Sequence, residues 1–228
     1  GTSADYAPYE WHLIMDGKDE ISGFDIDIAQ AIADELGVEL EVKDMAFDGL
    51  IPALSTGKID MIIAGMNATE ERKQSVDFTD VYYTQTDIVV IRKEDADKFT
   101  SEDSLKTAAL ATQKATVQET YLLETFPDAE IQSVPKWNTA IMSLTTGKVD
   151  AVMMVDTVAK QFIAQNDDLM VANFDINSTP NAAAIAVAKN GGDFLETVNN
   201  IVNEMKESGK IEELYQLNDQ IVTDNTAE

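Results

Sequence analysis

The chain has no cysteine, which excludes disulfides, thiolate nucleophiles and cysteine-ligated zinc. Histidine is limited to His12, set among apolar residues and read as structural rather than as a base. G-x-S-x-G, H-E-x-x-H and P-loop patterns are absent, so no catalytic residue, metal ligand or cofactor is expected. Basic residues are also scarce: 16 Lys and Arg against 42 Asp and Glu leave a net charge of −26. Nucleic-acid binding, which needs a basic face, is excluded, and adhesion to anionic lipid is disfavoured. No apolar run approaches the roughly 20 residues needed to span a bilayer. The acidic surplus serves solubility, or attracts a cationic ligand at long range in a salt-screened way.

What is present is an alternation of short apolar strands with helical patterns, the mark of α/β layers. Phe24 to Leu36 places Phe24, Ile28, Ile32 and Leu36 on one helix face, and Gly37 stops it. Val38 to Val42 alternates like a strand, Leu50 to Leu54 reads as a short helix, and Ile59 to Ala64 reads as a buried strand. Phe194 to Tyr215 reads as two helices broken near Ser208-Gly209, with a loose polar tail after Ile221.

The most informative pattern is an internal repeat. Phe47-DGLIPALSTGKIDMIIAGM and Trp137-NTAIMSLTTGKVDAVMMVD match at an offset of 90 residues, pairing Phe47 with Trp137, Leu54 with Leu144, Gly57 with Gly147 and Asp60 with Asp150. Each copy is an aromatic-led helix, a glycine stop and an apolar strand. Two copies imply two similar lobes, each with a mostly parallel sheet. Ligands of such sheets bind beyond the carboxyl ends of strands, so Ala64-Gly65-Met66 and Val155-Asp156 are expected to meet across one cleft. Val89 to Lys93 and Ala182 to Lys189 are the candidate hinge strands. They divide the chain into lobe one (1–92 and 184–228) and lobe two (93–183).

Arg72 follows the first strand end, after Thr69, which reads as a helix N-cap. An arginine there grips a carboxylate through paired hydrogen bonds, or else pairs with Glu70 or Glu71 at the surface. Asp156 ends the second strand and takes an ammonium group, caps the helix Thr157 to Ala164, or does both. Tyr6, Trp11 and Phe47 are candidate aromatic walls, Trp11 equally a core residue. Gln113 to Thr116 offers amide or hydroxyl contacts. Asp25-Ile26-Asp27 has the look of a metal pair, but residues two apart on a helix diverge, so a solvated face is expected.

With these residues on the page, the chain resembles the polar amino-acid substrate-binding proteins of bacterial ABC importers, the family of the glutamine- and lysine/arginine/ornithine-binding proteins. The resemblance rests on Gly1-TSADYAPYEW, Gly23-FDIDIAQAIA, Phe47-DGLIPALSTGKID, Ala64-GMNATEERKQSVDFTDVYY and Val149-DAVMMVD, and covers essentially the whole chain. It implies a type II periplasmic-binding-protein fold: two α/β lobes, two hinge strands and a ligand cleft between them that closes on the ligand. It further implies that Arg72 binds the ligand's α-carboxylate, helped by Gly65, Asn67 and, from the other lobe, Thr116. Met66 belongs to the same strand end. Asp156 would bind the α-ammonium, Tyr6 and Phe47 would sandwich the side chain, and Ser3 and Gln113 would lie near its tip.

The implied partners are a free L-amino acid and a membrane permease, for a monomer outside the cytoplasm, periplasmic or lipid-anchored. The opening Gly1-Thr2-Ser3 fits a chain from which an export signal or anchor cysteine has been removed. Ser3 stands where relatives often carry aspartate, Asn67 where they carry Thr or Ser, and Ala115 where they carry Gly. Arginine or lysine suits the acidic chain, with Asp5 or Glu10 as candidate guanidinium partners. Glutamine or another neutral polar amino acid suits the uncharged Ser3 and Gln113. A cyclohexadienyl-dehydratase-like enzyme and a sensor domain are the alternatives of other classes.

Overall fold

The computed structural model describes residues 1–15 and 17–226, with Met15 and Thr226 described for their backbone alone. The chain begins with β1 (Asp5–Tyr6), β2 (Glu10–Met15), β3 (Lys18–Ser22), α1 (Phe24–Leu36), α2 (Leu50–Ser55), β4 (Met61–Ile62) and β5 (Val76–Phe78). It continues through β6 (Tyr83–Gln85), β7 (Asp87–Arg92), β8 (Ala109–Gln113), α3 (Val117–Thr125), β9 (Glu130–Val134), α4 (Trp137–Thr145) and β10 (Ala151–Val155). It closes with α5 (Asp156–Ala164), β11 (Leu169–Val171), β12 (Asn181–Ala183), β13 (Ala186–Ala188), α6 (Gly192–Glu207) and α7 (Lys210–Thr226).

These elements form two compact units, Gly1–Thr84 with Ala182–Glu228, and Gln85–Asn181. The first crossing therefore lies at β6, ahead of the expected Val89 to Lys93. The reason is pairing: all of β7 is hydrogen-bonded inside unit two, between β10 and β11.

Unit two is built on a five-stranded sheet in the order β11-β7-β10-β8-β9. β8 runs parallel to both β10 and β9, while β7 is antiparallel to β10 and β11. The sheet is thus mixed, where a mostly parallel one was expected. Val89, Ile91, Leu110 and Met153 from its strands pack with Phe99, Leu122 and Phe126 into one core.

Unit one has two antiparallel three-stranded sheets, β1-β2-β3 and β4-β13-β5. Phe47, Leu50, Leu54, Ile62, Met66 and Val76 fill the core beside β4. A second cluster is aromatic: Phe24 of α1 stands edge-on to Tyr215 of α7 at 5.8 Å, and Tyr215 stacks on Tyr83 at 4.7 Å. That contact ties α7 down. Val222 is buried and Thr223 and Asn225 bond back to Asp219 and Ile221, so the segment expected to be a loose tail is helical to Thr226.

The repeat reproduces its stop atom by atom. Thr56 Oγ1 donates to Pro52 O at 2.8 Å, and Thr146 Oγ1 to Met142 O at 2.7 Å. Gly57 N–H reaches Leu54 O at 3.0 Å and Gly147 N–H reaches Leu144 O at 3.1 Å. Both glycines are left-handed, at φ 69° and 72°, a region that a Cβ penalises. Beyond this the two copies diverge. In unit two β8 lies along β10. In unit one only Gly1 and Thr2 hold that place, bonded to Met61, Ile63, Lys43 and Met45. Past Gly1 lies a cavity of about 580 Å³ between α1 and the segments 38–43 and 58–61. Val38 to Val42 lines it and, facing it unpaired, is not the strand that its alternation predicts. Gly65 does not line the cavity, though Asp25 and Ile63 do.

Candidate functional site

Two strand ends carry the candidate residues, one in each unit. In unit one, β4 runs out through Ile63 and Ala64 into Gly65, which turns at φ 56°. A Cβ on Gly65 would lie 3.0 Å from Tyr6 Cε1, so a side chain there would displace the tyrosine. The Gly65 N–H is held by Asp25 Oδ2 at 2.8 Å. That N–H is therefore engaged within unit one. Asn67 forms a bridge to Ala183, and its carbonyl accepts from Arg72 Nη1 at 2.8 Å.

Arg72 begins a single 3-10 turn, not a helix of any length. Thr69, expected as the cap, is not at the cap position of that turn, which Glu71 holds; its Oγ1 accepts from Arg72 N–H at 3.2 Å. The guanidinium lies 5.3 Å from the centre of the Phe47 ring, within cation–π range. Glu70, the surface partner considered for it, bonds Lys73 at 2.7 Å instead. Burial pulls the guanidinium down to about 10, opposed by the charge of Glu71. It stays a cation at neutral pH, and a half-buried one. Such a group gains from an anion delivered to it, because two parallel charge-assisted bonds replace lost hydration.

Tyr6 and Phe47 are both 9% exposed, and Ser3, three residues before Tyr6, is buried. Met66 does not belong to this group. It is 0% exposed and packs in the core of unit one, as strand alternation dictates for the residue between Gly65 and Asn67. Glu10 is likewise withdrawn from the list of guanidinium partners, being 1% exposed. His12 is exposed rather than packed among apolar neighbours, with Nδ1 2.9 Å from Asp19.

In unit two, Asp156 follows β10, its N–H donating to Thr86 O at 2.9 Å. It is the first residue of α5 and not its cap, since Val155 holds the cap position. Its carboxylate is partly exposed and 3.5 Å from Lys160 Nζ. Thr116 caps α3: its Oγ1 accepts from Glu119 N–H at 3.2 Å and donates to Gln113 O at 2.7 Å. Gln113 Nε2 donates to Pro135 O at 3.2 Å. Ala115, between them, is left-handed at φ 62°, a conformation that suits the glycine expected there.

Sequence reasoning missed two buried carboxylates. Asp25, read as solvated, is 0% exposed. The signal was available: Asp25, Ala29 and Ala33 fall on one strip of α1, and small residues at that spacing mark a buried face. Asp27 turns elsewhere, accepting from Asn218 at 2.6 Å. Asp87, at the start of β7, accepts from Gln118, Ser178 and Asn181. Burial raises its carboxyl, its three donors oppose this, and the charge of Asp156 adds to the rise. Among the described residues no group of three His, Asp or Glu is placed to hold a metal ion.

Residues 1–217 match the family described as bacterial extracellular solute-binding proteins, family 3. The chain belongs to that family. The arginine-binding extracellular protein ArtP of Bacillus subtilis is 34% identical over 217 residues, covering 94% of this chain and 82% of its own. A probable histidine-binding protein of Campylobacter jejuni is 35% identical over 210 residues, covering 92% of this chain and 79% of its own. An amino acid ABC transporter substrate-binding protein from Streptococcus pneumoniae, solved with L-arginine, is 39% identical with a TM-score of 0.91. That alignment covers 96% of this chain and 92% of the other. The fold is thus that of the type II periplasmic binding proteins, and the family is one of solute receptors for ABC importers. Among the described residues no helix is long and apolar enough to cross a membrane.

Proposed function

We propose that this member of the family binds a free L-amino acid outside the cytoplasm, L-arginine in preference to others, and presents it to the permease of an ABC importer. The observation that carries the reading is Arg72, a desolvated cation held by the Asn67 carbonyl over the Phe47 ring. In that place it takes the α-carboxylate. Asp156 takes the α-ammonium, Tyr6 and Phe47 enclose the side chain, and Ser3, Gln113 and Thr116 supply polar contacts. Asp5 is the remaining carboxylate next to Tyr6 for a guanidinium once Glu10 is set aside. The arginine named for two of the three similar proteins supports the choice of ligand.

Calorimetric titration of Arg72→Ala with L-arginine tests the assignment. Loss of a hydrogen-bonded charge partner weakens binding by about 100-fold or more, the equivalent of roughly 3 kcal/mol. An Arg72→Ala protein that binds within threefold of the wild type would remove the carboxylate from Arg72.

A further inference from the structure

Beneath the Gly65 turn lies a pair of acids that ligand contact does not explain. Asp25 Oδ2 accepts from Gly65 N–H and from the Tyr82 hydroxyl, each at 2.8 Å. Glu10, arriving from β2, is fully buried with its charge set against that of Asp25, and Glu10 Oε2 and Asp25 Oδ1 have no hydrogen-bond partner among the described residues. Two carboxyl groups buried together in this way are accommodated when one of them keeps its proton. Glu10 is the one that keeps it. Burial first, then the charge of Asp25, pushes its carboxyl well above the usual range. Burial raises Asp25 to about 6, against the pull of Tyr82, Gly65 and Glu10. The other groups facing the pair are Asp5 from β1, the Thr2 hydroxyl and the Gly1 amino group.

The pair is joined to the binding residues by a short chain of contacts, all inside unit one. Asp25 fixes Gly65 through its N–H, and Gly65 packs against Tyr6. Two residues on, Asn67 holds Arg72. We propose that Asp25, backed by Glu10, is a positioning residue for amino-acid binding, its carboxylate setting the Gly65 turn that presents Tyr6, Asn67 and Arg72. The inference rests on the receptor reading above. When Asp25 itself gains a proton it becomes a weaker acceptor, the turn loosens, and ligand affinity falls as pH drops through about 6.

The test is the affinity for L-arginine from about pH 5 to about pH 8, by calorimetry on the full chain, since a positioning group that titrates leaves its mark on the pH profile. The wild type weakens by about tenfold between neutral pH and pH 5. Asp25→Ala, which leaves Gly65 N–H without this acceptor, binds about tenfold more weakly at neutral pH. The double variant Glu10→Gln with Asp25→Asn keeps the shape and the hydrogen bonds but titrates nowhere in this range. Its neutral amide oxygen accepts as weakly as the protonated acid does, so it binds about tenfold more weakly than the wild type at neutral pH, with a flat profile. Should Asp25→Ala fail to show a cooperative thermal transition, the profile of the double variant decides alone. Wild-type affinity in Asp25→Ala, or an acid-side fall retained by the double variant, overturns the inference while leaving the receptor reading intact. A wild type that binds no L-amino acid overturns both.

Discussion

Arg72, Glu10 and Asp25 are three ionisable side chains placed where water is scarce, and each is handled differently. Arg72 keeps its charge and is given an aromatic face and a carbonyl. Glu10 gives up its charge, and Asp25 keeps its own at neutral pH with Tyr82 and Gly65 donating to it. The acid pair has a consequence for stability with a definite sign. Both folded-state pKa values lie above those of the unfolded chain, so between about pH 4 and 7 the pair holds more protons in the folded protein than in the unfolded one, opposed in part by the Gly1 amino group, which burial lowers to about 6. Stability therefore rises as pH falls through that window. Chemical denaturation should show a protein more stable at about pH 5 than at pH 7, by an amount on the order of 2 kcal/mol. Below about pH 4 the trend reverses, because Asp77, lowered by its bond to Lys189, and Asp80, lowered by Asn203 and Asn199, are then protonated. Glu10→Gln should flatten the slope between pH 5 and 7. A slope unchanged by that substitution would show that Glu10 is ionised in the folded protein.

At the scale of elements, the helix–glycine–strand repeat is the unit from which both halves are made. Its two stops share geometry to within about 0.1 Å in three hydrogen bonds (Gly57 and Gly147 N–H, Thr56 and Thr146 Oγ1, Lys58 and Lys148 N–H). Neither glycine has an atom close to where a Cβ would stand, so the cost of Gly57→Ala or Gly147→Ala is the left-handed backbone alone. Each should lower stability by about 1 kcal/mol, and the two should be equal within error in thermal or urea unfolding. Unequal costs would mean that the repeat is one of sequence more than of structure. Periodicity served well where a pattern was long and local, as in α1, which spans Phe24–Leu36 as its apolar face predicts. It failed where pairing decided. Val38 to Val42 alternates like a strand yet has no neighbour along it, β7 belongs wholly to unit two, and the sheets are not mostly parallel, because strand direction is set by partners distant in sequence. The positions of Arg72 and Asp156, each after an apolar strand that ends in a turn, were legible, and their roles are those proposed above. Met66 was misplaced because strand alternation carries it to the core face. Asp25 was misread although Ala29 and Ala33 on its strip of α1 marked a buried face, and Glu10 was misread because nothing local in a sequence says that it will be buried against a second carboxylate.

For the whole molecule, the net charge of −26 bears on rate more than on fold. An acidic surface speeds the approach of a cationic amino acid and repels an anionic one, and salt weakens both effects. Within the proposed site Arg72 and Asp156 read the two backbone charges that every amino acid carries, so Asp5 and the acidic surface are what favour a positive side chain. The measurement that tests this most directly is calorimetric titration of the protein against each of the twenty L-amino acids at neutral pH. The account predicts that L-arginine binds most tightly, at least tenfold more tightly than L-glutamine, a margin of about 1.4 kcal/mol. Tighter binding of glutamine, or heat from none of the twenty, would contradict it.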